Sequence, residues 1–473
     1  HPMSMQLALA SALNNLRANT AQTSVISKNI ESAGVEHYVR KDMSTVTRFV
    51  AGVNLGIEVI ISRNVDERLI RDVRQESSVV SSLDAKARAL SGYIEVIGQP
   101  QDERSVASMV SNLRISLQTL LDRPGEQVVQ RNAVKAADDL AATIKRMYAE
   151  SRQVQSDADE QIRTKVDLVN SNLKRIEQLN KQITAGKAAG RDISDLQDER
   201  DRLTDQIAEQ IGITTYQRGN GELVILARGG ATLLDSNANT LVFTPFGSIT
   251  TSDGTDLTLS PATGMTSGAI AGLMEVRDSI MTSFQNQLDQ LASGLIRAFE
   301  AADGTIGAPP ADTGLFTDAG LAFNPANIQG LGERIRVNPS VRPEDGGDLW
   351  RISAGMHATD PVPGGDTTQV MAFLNAFDTV QAYDPASGLP TSATLQSYAT
   401  SLVTLQQTVR TEIESQNDAR MVTYENLRQT RLNRDGVNID DELQKMFFIQ
   451  QSYAASATML TSVKELMDIL TSI

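Results

Sequence analysis

The stretch from Asp435 to Ile473 constrains the fold more than any other. Leu443, Met446, Ile449, Tyr453, Leu460, Val463, Met467 and Leu470 recur there at three- and four-residue steps, which puts them on one face of a long helix. Asn438 occupies the N-cap position. Asp440, Asp441 and Glu442 place negative charge in the first turn, where free backbone N–H groups and the helix dipole favour it. An apolar stripe of this length needs a partner, because propensity alone does not hold an isolated helix together in water. The candidate lies between Met5 and Ile30, where Leu9, Leu13, Leu16, Thr20, Thr23, Ser27 and Ile30 follow the heptad spacing of a coiled-coil seam. Thr20, Thr23 and Ser27 weaken this seam, and Gln450, Ala454 and Ala457 dilute the other. Each exchange for Leu gives up about 2 kcal/mol of burial. The pair is therefore expected to become firmly ordered only when further helices pack around it. An ordinary helix pair closing a globular bundle fits the same pattern.

A chain of 473 residues has material for two to four domains. Its net charge of -15 argues against nucleic-acid binding, which needs a basic surface to displace counterions. The absence of cysteine excludes disulfides and thiolate chemistry. The first residues lack a basic region followed by an apolar core and a cleavage site, and His1 and Pro2 precede Met3, which reads as the native start. There is no apolar run of about 18 residues to span a bilayer. Aromatic content of 4% suits long helical packing better than a deep catalytic pocket.

Taken in order, Val35 to Ile61 alternates apolar residues (Val46, Phe49, Val53, Ile57, Val59, Ile61) around Gly52 and Gly56, which predicts extended structure. Helices are predicted from Asp66 to Pro100, over Arg104 to Leu121, from Glu126 past Asp167 towards Ile183, and over Asp192 to Ile211. The acid and base residues of the last one (Asp195, Asp198, Glu199, Arg200, Asp201, Arg202) read as a solvated face. Strand chemistry follows over 213–259, then helix from Ile270 to Phe299. Gly304 to Gly365 is rich in Gly, Pro, Asp and Asn and reads as a separate β-rich insert or long loop system. Helices resume over Thr367 to Phe377 and Ser392 to Leu432. The expected fold is α+β, mainly α: a long helical bundle or coiled coil from paired terminal segments, with inserted β-rich elements. Its parts are 3–61 with 433–473 as terminal coiled-coil segments, 62–303 with 366–432 as a helical shaft, and 304–365 as the insert.

No catalytic, cofactor or metal constellation emerges. His1, His37 and His357 stand at no metal-ligand spacing, and Ser171 with Lys174 lacks the companion motifs of a serine-lysine hydrolase. Asp253 to Asp256 lacks the remaining ligands of a calcium loop and reads as a turn, as does Gly229-Gly230.

Eight segments carry a resemblance. Gly436 to Leu443 (GVNIDDEL), Gln450 to Ala457 (QQSYAASA) and Lys464 to Leu470 (KELMDIL) are similar to the C-terminal signature of bacterial flagellar axial proteins. Ala8 to Leu13 (ALASAL) and Ser27 to Ile30 (SKNI) resemble the other end of that family. Ile176 to Ile183, Asp195 to Leu203, and Gly268 to Leu295 narrow the resemblance to the family of flagellar hook-associated protein 1. The family's Asn-Thr-Pro-Gly-Tyr turn is here Gly34-Val35-Glu36-His37-Tyr38. The resemblance implies a non-enzymatic structural subunit at the hook-filament junction. It would need no cofactor and leave the cytoplasm through the flagellar export channel without a cleaved signal peptide. The implied partners are other copies of itself in a homo-oligomeric ring, the axial proteins of hook and filament, the flagellar cap and an export chaperone. Assembly would run through Leu9, Leu13, Leu16, Ile30, Leu443, Met446, Tyr453, Leu460, Val463, Met467 and Leu470. A hook or rod subunit, or a secreted enzyme or adhesin using the 304–365 insert, are the alternatives.

Overall fold

The computed structural model describes residues 2–35, 37–50, 53–257, 265–307 and 312–471; Glu36 and Gly52 lie outside these. Helix α1 (Pro2–Glu31) leads into an antiparallel hairpin, β1 (Lys41–Val50) and β2 (Val53–Arg63). Its register pairs Lys41 with Arg63 and slips once between Thr47 and Phe49. Four helices follow: α2 (Glu67–Ile97), α3 (Val106–Asp122), α4 (Gln127–Ala188) and α5 (Ser194–Gln210). Asp66 opens α2 by accepting the N–H groups of Arg68 and Leu69, and Ser105 opens α3 by accepting that of Ser108.

The period then changes to strands β3 (Ile213–Gln217), β4 (Leu223–Ala227), β5 (Thr232–Leu234), β6 (Leu241–Phe243) and β7 (Ile249–Thr251). They form a three-stranded sheet in the order β3-β4-β5 and a β6-β7 ladder. Gly230, at φ +96°, allows the turn between β4 and β5. Helix α6 (Ala269–Glu275) runs through one π turn, Val276–Ile280, into α7 (Met281–Ala302). The wide turn is held by the side chain of Arg277, buried and donating to Asp159 Oδ1 (2.5 Å) and Asp278 Oδ1 (2.7 Å), while Gln155 donates to the Arg277 carbonyl. The rest comprises β8 (Phe316–Asp318), α8 (Leu331–Arg334), β9 (Ile335–Val337), α9 (Arg351–Ala354), α10 (Thr368–Asp378), β10 (Gln381–Ala382), β11 (Ser392–Ala393), α11 (Leu395–Asp435) and α12 (Ile439–Thr471). The protein is thus mainly α, with short antiparallel ladders. The described part of 304–365 holds only the β8-β9 ladder, with turns and short helices between, so its Gly and Pro content makes loop rather than sheet.

The chain forms two compact units. The first comprises residues 1–81, 165–268 and 419–473, the second residues 82–164 and 269–418. The second is centred on Phe299, whose ring meets Phe316 and Phe377 edge-on, at 5.3 and 5.6 Å between centroids, and Phe373 at 5.5 Å. A buried relay of amides runs beside it: Tyr93 Oη donates to Gln406, Gln406 to Gln287, and Gln287 to the Ser387 carbonyl. Gly272 permits close approach, because a Cβ there would sit 2.3 Å from the Ser82 carbonyl oxygen.

Candidate functional site

In the first unit α1 and α12 pack side by side. Asn29 Nδ2 donates to Glu442 Oε2 at 2.9 Å and Asn19 Nδ2 to Ser452 Oγ at 3.0 Å, so one helix descends from 29 to 19 while the other climbs from 442 to 452. The pair is antiparallel. Its buried positions are Ala12, Asn19, Val25, Ile26 and Asn29 on α1, and Glu442, Ile449, Ser456 and Val463 on α12. Those on α12 fall on a strict heptad. The α1 stripe is displaced from the expected one: Leu13, Thr20 and Ser27 are exposed, whereas Leu9, Leu16, Thr23 and Ile30 are half-buried. Polar partners decide this. Asn29 uses its whole amide, donating to the Lys41 carbonyl and Glu442 and accepting from Tyr38 Oη and the Lys41 N–H. A leucine-facing register would leave these buried groups unpaired, at about 1–3 kcal/mol each.

Of the expected assembly residues on α12, only Val463 is buried, while Met446 and Leu460 are half-buried. Leu443, Tyr453 and Met467 are exposed, and the Leu470 side chain lies outside those described. Asn438 caps the helix, its Oδ1 accepting the Asp440 N–H at 3.0 Å and that of Asp441 at 3.4 Å. Glu442, adjacent to them, is instead spent inside the pair, bonded to Asn29 and Lys445. The exposed surface of α12 carries large apolar side chains among its polar ones: Phe448 is 67% and Phe447 59% exposed, with Ile439, Leu443, Tyr453 and Met459 also exposed.

One end of the pair, and the segments around it, meet the acids of α5. Asp195, Asp198, Asp201 and Asp205 lie on one face, and each meets cations from other segments. Lys28 of α1 and Lys41 of β1 pair with Asp195. Arg63 of β2 lies 2.9 Å from Asp198 and pairs with Asp201. Arg74 of α2 lies 2.6 Å from Asp205, which also meets Arg431 of α11 at 2.9 Å and His37 at 3.4 Å. This overturns the reading of α5 as a solvated face, since Lys41, Arg63 and Arg74 are all buried. Gly34 and His37, at φ +85° and +67°, supply the left-handed geometry that carries the chain from α1 towards the hairpin.

The ladder titrates unevenly. Burial raises the carboxyl of Asp205, but Arg74, His37 and Arg431 hold it well below the ordinary carboxylate range. At Asp198 burial prevails over Arg63 and Lys41, and Asp201 and Asp195 add repulsion, lifting it to about 6. A raised folded-state value means that the folded protein binds this proton more tightly, so the contribution is present in full below the unfolded value near 4 and lost as pH rises through 6. Asp198→Asn is expected to raise the urea midpoint at pH 7 and to remove this decline between pH 4 and 6. An unchanged pH profile in urea titrations would refute the assignment.

Among the described residues no three His, Asp or Glu side chains are grouped to hold a metal ion, and no helix is long and apolar enough to cross a membrane. Residues 92–305 match the family model described as the flagellar hook-associated protein FlgK helical domain. Residues 428–473 match that of the flagellar basal body rod FlgEFG protein C-terminal region. The chain is 24% identical over 509 residues to flagellar hook-associated protein 1 of Bacillus subtilis (strain 168), covering 98% of this chain and 97% of that one. It is 24% identical over 311 residues to the protein of the same name from Escherichia coli (strain K12), spanning 62% of this chain but only 56% of the relative. A solved structure, the flagellar hook junction protein FlgK from Burkholderia pseudomallei, matches 52% of this chain and 46% of its own, with 20% identity and a TM-score of 0.45.

Proposed function

The chain belongs to the flagellar hook-associated protein 1 family, and from that premise we propose that it is the structural adaptor joining hook to filament, assembling with copies of itself through α1 and α12. Its place is the flagellum and its partners are flagellar components. The carrying observation is the composition of α12, which spends Glu442, Ile449, Ser456 and Val463 on α1 and keeps Phe447, Phe448, Leu443 and Tyr453 at the surface. A patch of this kind marks an interaction surface. The occupant is α1 and α12 of neighbouring copies in a ring, with axial proteins of hook and filament on either side. The cap and an export chaperone complete the proposed partners, and the role is non-catalytic.

Phe448→Asp tests the reading. At 67% exposure the change is expected to move monomer stability by no more than about 0.5 kcal/mol, while hooks seen by electron microscopy carry no filament. Cells lacking the protein should show the same bare hooks. Loss of the hooks themselves would assign the chain to hook or rod, and normal filaments on the Phe448→Asp background would remove α12 from the interface.

A further inference from the structure

Arg200 is the anomaly of the first unit. It lies on α5 beside the acid ladder and is 3% exposed, yet among the described residues it forms no ion pair. Its Nη1 donates to two neutral acceptors, Asn180 Oδ1 at 3.0 Å and the Gly221 carbonyl at 2.7 Å. Its Nε is buried without an acceptor. A buried cation is ordinarily matched by a carboxylate, because desolvation otherwise costs several kcal/mol. Arg63 and Arg74 obey this rule through Asp198, Asp201 and Asp205; Arg200 does not.

Arg200 lines a cavity of about 610 Å³. Arg63 and Arg74 line it too, and Arg71, Lys187 and Arg191 stand exposed around it. Its acidic lining residues are Glu67, Asp192 and Asp201. Asp201 is held by Arg63 and Arg74, while Asp192 accepts from Ser194. The cavity is therefore locally cationic in a chain whose net charge is -15. Burial, with help from Arg63 and Arg74 and against Asp201 and Glu67, lowers the Arg200 guanidinium to about 10, so it stays charged at neutral pH but lacks a counter-ion.

We infer that this cavity binds an oxyanion, a carboxylate or phosphate group seated against Arg200, with Arg71 and Arg191 drawing it in. The planar guanidinium suits a two-oxygen group. The volume falls in the usual range for small-molecule sites, about 300–1,000 Å³, so the anionic group belongs to a larger body: a small organic acid or phosphate ester, or an acidic side chain on a protein segment.

Calorimetric titration of the full chain at fixed ionic strength tests this, with inorganic phosphate and hexaglutamate as probes and chloride as the reference. Saturable binding of one probe is expected, weakened at least tenfold in Arg200→Gln and several-fold in the surface variant Arg71→Glu/Arg191→Glu. Phosphate binding alone would identify a small organic acid or phosphate ester, and tighter hexaglutamate binding an acidic segment; either supports the site. No saturable binding of either probe, or equal affinity in the Arg71→Glu/Arg191→Glu variant, overturns it. The surface variant decides the matter if Arg200→Gln does not fold.

Discussion

Arg74→Met is expected to cost about 3–5 kcal/mol of stability, seen as a urea midpoint lower by about 1–3 M. The reason is what the substitution leaves behind. Arg74 is buried, and its guanidinium neutralises Asp205 at 2.6 Å and Asp201 at 3.4 Å. Methionine fills much of the same space but leaves Asp205 to Arg431 and His37, and Asp201 to Arg63 alone, in a setting largely removed from bulk water. Lys181→Met is the control, because Lys181 forms an exposed i,i+4 pair with Glu177 and should cost no more than about 0.5 kcal/mol. The pH dependence adds a second check. Asp205 has a depressed folded-state value, so its contribution is present above pH 4 and lost on acidification. The gap between wild type and Arg74→Met should therefore narrow below pH 4. Equal midpoints for Arg74→Met and Lys181→Met would mean that the ladder does not hold the first unit together.

The second large effect belongs to the other unit. Phe299→Ala removes a ring that is fully buried against three others, and the expected loss is about 3–5 kcal/mol. Phe299→Leu keeps most of the volume and should cost less than about 1.5 kcal/mol. Trp350, the sole tryptophan, lies in the same unit, so its fluorescence reports the transition directly. A loss below about 1 kcal/mol for Phe299→Ala would show that the cluster can collapse into the gap and does not organise the core.

Some of this was readable from residue order alone. Apolar recurrence located α2, α5 and α12 to within a few residues, Asn438 marked its helix start, and Gly229-Gly230 marked a strand turn. These are local signals. The seam of α1 was displaced because that helix carries two candidate stripes, and hydrophobicity favours the one with Leu9, Leu13 and Leu16. The buried one contains Asn19 and Asn29, whose worth depends on Ser452 and Glu442, more than 400 positions away. The charges of α5 misled for the same reason: their partners come from α1, the hairpin, α2 and α11, and no periodicity reveals them. The π turn at Val276–Ile280 and the unmatched Arg200 likewise follow from tertiary contacts alone.

The antiparallel pairing of α1 with α12 also sets an order of events during synthesis. Glu31 closes α1 and Ile439 opens α12, so about 400 residues must be made between them. At about 5–20 residues per second, α1 waits roughly 20–80 s for its mate to leave the ribosome. Every newborn chain therefore passes through an interval in which Val25, Ile26 and Ala12 are uncovered and Asn29 lacks Glu442. Anything that must capture the chain before it closes has that window in which to act.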